Sequence, residues 1–315
     1  MYYLKRILWA VPLLLVISLL AFLLCKCVPG SPFDHERKPA SPEIERNMEA
    51  RVHLNDPLWK QYVRFLGLVW EKDAGGQWHH APPSWNLSMK YRNHDVSNII
   101  AQGLPVSMTL GGLAFCFALG IGIPLGFITS IKRGQWLDHL GGTVSLLSVC
   151  IPSFVLAPFL ILIFSFKLKL FPVGLWGTPM HMILPAVTLG SVFIGQVARL
   201  MREGMAGASQ SEFVIAARAK GLGETMLLLK HAFRIALLPV VSYAGPLLAD
   251  LLTGSFVVEN IFQLPGIGEH FINSVLNKDL FLTVDLAVLY AALLIGLNLM
   301  VDFAYTLLDP RVKYE

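Results

Sequence analysis

Charge is scarce in this chain: 15% of its 315 residues are Asp, Glu, Lys or Arg, against about a quarter in an ordinary soluble domain. A net charge of +4, with the bases gathered at the ends of apolar runs rather than in one patch, gives no footprint for nucleic acid. There is no G-x-x-x-x-G-K-[ST] loop, so ATP is not bound by that route. Cysteine is limited to four. Cys25 and Cys27 stand too close together for an unstrained bridge, and Cys116 and Cys150 lie inside apolar runs, so structural or incidental thiols are expected rather than metal ligands. His79 and His80 have no nearby Cys or paired carboxylate, and no Ser/His/Asp grouping stands out. Neither a metal site, nor a cofactor, nor an enzyme is expected.

What the chain has is apolar length: 55% of it is hydrophobic and its mean hydropathy is +0.59. Ile7 to Cys25 is a run broken only by Pro12 and Ser18. It is longer than a signal-peptide core and no small-x-small cleavage site follows it, so a retained first membrane span is expected. Five more spans are expected at about Val106–Ile128, Leu140–Phe164, Met182–Leu200, Ile235–Val257 and Val284–Leu308. Pro124, Pro152, Pro158, Pro185 and Pro246 within them imply bent helices around a central path. Gly111, Gly112, Gly120, Gly122 and Gly126 favour close helix contacts. The expectation is an all-α polytopic membrane protein. It would have a first helix at 1–28, a loop or cap outside the membrane at 29–105, and a five-helix core at 106–310.

The cap is the longest polar stretch and carries helical patches of its own. Pro42–Arg51 reads as an amphipathic helix, and Leu58–Trp70 places Leu58, Tyr62, Phe65 and Val69 at helical spacing. A loop of this length is expected to fold.

Bases set the orientation. Lys5 and Arg6, Lys132 and Arg133, Arg199 through Arg234, and Arg311 and Lys313 share one side if six spans alternate, which puts both termini in the cytoplasm. Also on that side is Ser209–Gly221, a polar segment lodged between apolar runs. Ser209 followed by Glu212 reads as a capping box, and Gly221 as a stop. Phe213, Ala216, Ala217 and Lys220 then share one face, with two side chains small enough for another surface to approach. From the residues alone, this helix either docks a partner or lies among lipid headgroups.

The stretch Glu212-Phe-Val-Ile-Ala-Ala-Arg-Ala-Lys-Gly-Leu222, followed by Lys230-His231 and Leu237-Leu-Pro239, resembles the EAA-type loop of ABC importer permeases in the oligopeptide and dipeptide branch. Further pieces are similar to that family in the same order, among them Ile151-Pro-Ser-Phe-Val-Leu-Ala-Pro158, Glu259-Asn-Ile-Phe-Gln-Leu-Pro-Gly-Ile-Gly268 and Leu308-Asp-Pro-Arg311. Ile215 departs from the pattern, standing where a more general loop has its acidic residue. The resemblance implies a type I ABC importer permease fold in a bacterial inner membrane. In it Glu212, Phe213, Ala216, Ala217, Arg218, Ala219, Lys220 and Gly221 couple to an ATPase. It also implies a second, related permease, two ATP-binding subunits and an extracytoplasmic peptide-binding protein as partners. An ion-gradient-driven secondary transporter is the alternative from another class, although no internal repeat stands out.

One carboxylate, in Leu247-Leu-Ala-Asp-Leu-Leu252, sits in the outer half of the fifth span. Asp250 on a lipid-facing surface would cost about 2.5–3.5 kcal/mol. Either it bonds within the bundle, or it lines the path beside Tyr243 as a weak site for a peptide amino group.

Overall fold

The computed structural model describes residues 2–28, 47, 49–50, 52–72, 77–80, 84–89, 95–253 and 255–308. The helix expected over Pro42–Arg51 falls largely outside them, as do Arg311 and Lys313. Among the described residues the chain is helical, with five continuous helices long and apolar enough to cross a membrane and a sixth candidate made of a bent pair. In chain order these are α1 (Tyr2–Cys27), α3 (Val96–Ile131), the pair α4 (Trp136–Cys150) and α5 (Ser153–Leu160, prolonged by a wide turn over Ile161–Lys167), α6 (Pro179–Ser209), α9 (Phe233–Thr253) and α12 (Leu280–Leu308). Between them lie α2 (Leu58–Phe65), α7 (Glu212–Ala219), α8 (Glu224–Met226), α10 (Phe256–Ile261) and α11 (Ile267–Leu276). The expected third span is thus broken: Ile151 is extended, Pro152 caps α5, and the two halves meet at 106°. Proline disfavours a helical residue before it, which explains why the break falls where it does.

The helix holding the second span starts at Val96 and runs 36 residues straight through Pro105, so the polar stretch ends about ten residues earlier than its composition suggests. One addition to the helical class is a short antiparallel ribbon, β1 (Trp70–Lys72) with β2 (Trp78–His80). It contains His79 and His80, and among the described residues no cluster of His, Cys, Asp and Glu could hold a metal.

Two packing units divide the chain. One joins Met1–Pro105 with Gly266–Ile295, so the first membrane helix and the first half of the last share a core. Phe22, Phe65, Met89 and Phe281 are buried together there, with Phe65 stacked on Phe281 at 6.4 Å. Tyr62 ties α2 to α1, its hydroxyl 2.7 Å from Ser18 Oγ and 3.1 Å from the Leu15 carbonyl. The helix expected to reach Trp70 stops at Phe65, because Gly67 takes a positive φ of 72° and the Gly67 and Leu68 amides close back onto Arg64 and Val63. Val69 therefore leaves the stripe, and Leu58 is exposed while Gln61 and Arg64 are buried. Gln61 turns inward because its amide donates to the carbonyls of Leu54 and Asp56.

The other unit comprises Val106–Pro265 and Gly296–Tyr314, and α6 runs through its middle, packed on α4 and α9. Small residues set its approach to each neighbour. At Gly195 a Cβ would strike the Ser145 carbonyl of α4, at Gly204 the Ala236 carbonyl of α9, and at Gly126 of α3 the Ala198 carbonyl of α6. Of the glycines marked for close contact, Gly111, Gly122 and Gly126 make it, whereas Gly112 and Gly120 meet nothing within 4 Å.

Candidate functional site

The segment between α6 and α9 is built by its turns. α6 continues through Ser209, whose hydroxyl donates to the Met205 carbonyl instead of capping a new helix. Ser211 is the N-cap of α7, so the helix begins two residues later than the capping-box reading has it, and the Ser211 hydroxyl donates back to Ala208 at 2.6 Å. A serine this close to the preceding turn finds that carbonyl before it finds an amide of α7. The other end is as expected: Gly221 takes φ 80°, its amide bonds to Arg218 and that of Leu222 to Ala217, the paired bonds that close a helix on glycine.

Val214 anchors α7, fully buried in the core where α7 packs on α6 and on the wide turn over Leu227–Ala232 that leads into α9, with Ala217 half-buried beside it. That anchor fixes which residues point away: Glu212, Ala216 and Ala219 form the middle of the outward face, with Phe213 (43% exposed) and Lys220 on one flank and Ile215 (52% exposed) on the other. The face read from the sequence is therefore turned: Phe213, Ala216 and Lys220 belong to it, and Ala217 lies at its inner edge. Arg218 leaves this face to pair with Glu224 of α8 at 2.9 Å. That carboxylate holds the guanidinium proton more firmly than usual. The arrangement offers a pinned helix with an apolar and small-residue surface toward its surroundings. It suits contact, with Glu212 and Lys220 as its charged groups.

Beside it, a cleft of about 450 Å³ is lined by Arg133, Arg199, Arg202, Glu203, Ser209 and Gln210. Its wall is held by a pair that composition does not reveal. The buried Asp138, in the first turn of α4, takes Arg202 of α6 at 2.9 Å and the Gly134 amide at 2.9 Å. Arg202→Leu should destabilise the protein by about 1–3 kcal/mol, the cost of leaving a buried acceptor without its main partner. A double-mutant cycle with Asp138→Asn, read by thermal unfolding, should show coupling between the two sites. Additive effects would make the pair inert.

Asp250 of α9 is exposed and makes no hydrogen bond or ion pair among the described residues. Tyr243, seven residues earlier on the same helix and so on the same side as Asp250, is half-buried. Arg199 carries a signal that reading it as a topology marker overlooks: Gln196, Arg199 and Glu203 recur at helical spacing along one face of an otherwise apolar helix.

Comparison with known proteins bears on these features together. Residues 122–314 match the family model of the binding-protein-dependent transport system inner membrane component, and residues 1–111 match the N-terminal membrane component model of the same systems. The oligopeptide transport system permease protein OppB of Haemophilus influenzae is 40% identical over 98% of this chain and 98% of its own length. The dipeptide transport system permease protein DppB of Bacillus subtilis is 39% identical over 99% and 97%. Among solved structures, an inward-facing form of the MetNI methionine ABC transporter superposes with a TM-score of 0.58 over 67% of this chain and 96% of its own, at 16% identity, a likeness of fold. With both family models matched and relatives aligned end to end, the chain belongs to the inner membrane components of binding-protein-dependent transport systems.

Proposed function

We propose that this protein is the membrane-spanning permease subunit of an ATP-driven importer of oligopeptides or dipeptides, forming half of the path and coupling it to ATPase subunits through α7. The observation that carries the reading is the end-to-end likeness to oligopeptide and dipeptide permeases, joined to a pinned, outward-facing α7 at the position of the EAA-type loop. The family works with binding proteins, and this sets the ion-driven alternative aside. The partners are then a second, related permease, two ATP-binding subunits that receive Glu212, Phe213, Ala216, Ala217, Arg218, Ala219, Lys220 and Gly221, and an extracytoplasmic peptide-binding protein. Both termini and α7 lie in the cytoplasm, and the polar segment between α1 and α3 lies outside, where the binding protein docks.

The mechanism is alternating access. Closure of the ATPases on ATP displaces α7, and Val214, buried against α6 and the Leu227–Ala232 turn that leads into α9, passes the displacement to the spans. The path, with Tyr243 and Asp250 on its wall, then opens to one side or the other.

Purification from its native membrane in mild detergent should bring down an ATP-binding chain and a second permease, and the complex should hydrolyse ATP faster when its peptide-loaded binding protein is added. The chain purified alone should bind no nucleotide. Stoichiometric ATP binding by the lone subunit, or a complex without an ATPase, would overturn the reading.

A further inference from the structure

Three sides of α6 are occupied: Gly195 meets α4, Ala198 and Met201 meet Gly126 of α3, and Gly204 meets α9. The remaining side carries Gln196, half-buried, and Arg199 and Glu203, both exposed. The Arg199 guanidinium donates to Gln196 Oε1 and forms no ion pair among the described residues. On α9, Ala236, Tyr243 and Asp250 recur every seven residues, so Tyr243 and Asp250 continue the side of α9 that meets α6 at Gly204. A fixed cation and a fixed anion on spans of mean hydropathy 1.5 and 1.8 are too costly to face acyl chains, so this side faces protein and water.

Their separation follows from the packing register. α6 ends at Ser209 and α9 begins at Phe233, and the two meet at Gly204 and Ala236, next to the segment that joins them, so they run in opposite directions and Arg199 stands level with about residue 241. Asp250 lies about nine residues beyond, roughly 13 Å at 1.5 Å per residue. An extended chain advances about 3.3–3.6 Å per residue, so its two ends span that distance at three to four residues.

Building on the peptide-import reading above, we propose that Arg199 and Asp250 are the two poles of a zwitterion site in the path. Arg199 receives the terminal carboxylate of a three- or four-residue peptide, Asp250 receives its terminal ammonium, and the Tyr243 hydroxyl meets the backbone between them. The carboxyl end then leads toward the cytoplasm. Both poles are exposed on this chain, and a single charge-assisted contact at each end is weak enough for a path to release what it binds.

The test uses the whole complex in proteoliposomes with ATP inside and saturating binding protein, and measures uptake of tetra-alanine and of its C-terminal amide. Wild-type uptake of each peptide is the reference, so the binding protein's own preference cancels. Arg199→Gln should lower uptake of the free acid about tenfold, the loss of one charge-assisted hydrogen bond, and leave the amide unchanged. Arg199→Lys should retain most of the acid uptake. Asp250→Asn should do the converse, lowering tetra-alanine but not its N-acetyl form. An equal fall for acid and amide in Arg199→Gln, or no fall, overturns the zwitterion site while leaving peptide import standing. A wild-type complex that imports no peptide overturns the function itself.

Discussion

Ala216→Glu is expected to lower peptide uptake by at least fivefold while leaving the protein inserted and its thermal unfolding unchanged. Ala216 is exposed at the centre of the outward face of α7, so nothing inside the chain registers the change. A partner packed against it does: overfilling such a contact costs about 1–3 kcal/mol or more, a loss of roughly five- to 150-fold in a coupling equilibrium. Stimulation of ATP hydrolysis by the binding protein should fall with uptake. Ala217→Glu serves as the contrast. With Ala217 half-buried against the core, that variant should lose thermal stability as well as uptake, and it reports on folding as much as on docking. Normal uptake by Ala216→Glu would remove α7 from the coupling role.

Gly126→Val should be the most damaging single change to the fold. A Cβ there would fall against the Ala198 carbonyl and 2.7 Å from the Met201 Cβ, both on the rigid middle of α6. Backbone cannot swing aside as a lysine tip can, so the cost is at the upper end of the overpacking range, about 3 kcal/mol or more. Gly120→Val, on the same helix with nothing within 4 Å, should leave the folding of the isolated chain unaltered. Thermal unfolding of the two variants in detergent separates them. Equal melting temperatures would mean that α3 and α6 are not in close contact.

The membrane helices were legible because their signal is length and apolarity, and neither depends on neighbours. The break at Ile151–Pro152 was marked by proline, but its 106° angle depends on packing that no local pattern encodes. The boundaries of α7 show the same limit. Gly221 ended the helix as read, since a positive φ is a property of glycine itself, whereas Ser209 could serve either helix and went to α6. The turn of the outward face away from Ala217 follows from the burial of Val214, a side chain that sequence alone ranks equal to Ile215. Asp138 and Arg202 lie far apart in the chain, and only the fold brings them together. Gln196, Arg199 and Glu203 are readable at helical spacing, but the arginine equally satisfies the rule about which side bases occupy, and sequence alone does not choose between the two.

The broken third span sets a length that a bilayer does not match. α4 has 15 residues, a rise of about 22 Å, beside a hydrocarbon core of about 30 Å. Its outward surface is lined by Leu146, Leu147 and Val149, so lipid next to it has either to thin by about 8 Å or to give way to protein. At fractions of a kcal/mol for each ångström, thinning costs a few kcal/mol in total, and a neighbouring membrane subunit laid along α4 removes that cost without any specific bond. Hydrophobic mismatch, rather than stickiness, then favours pairing, and the lone chain should partition into thinner bilayers than the assembled transporter does.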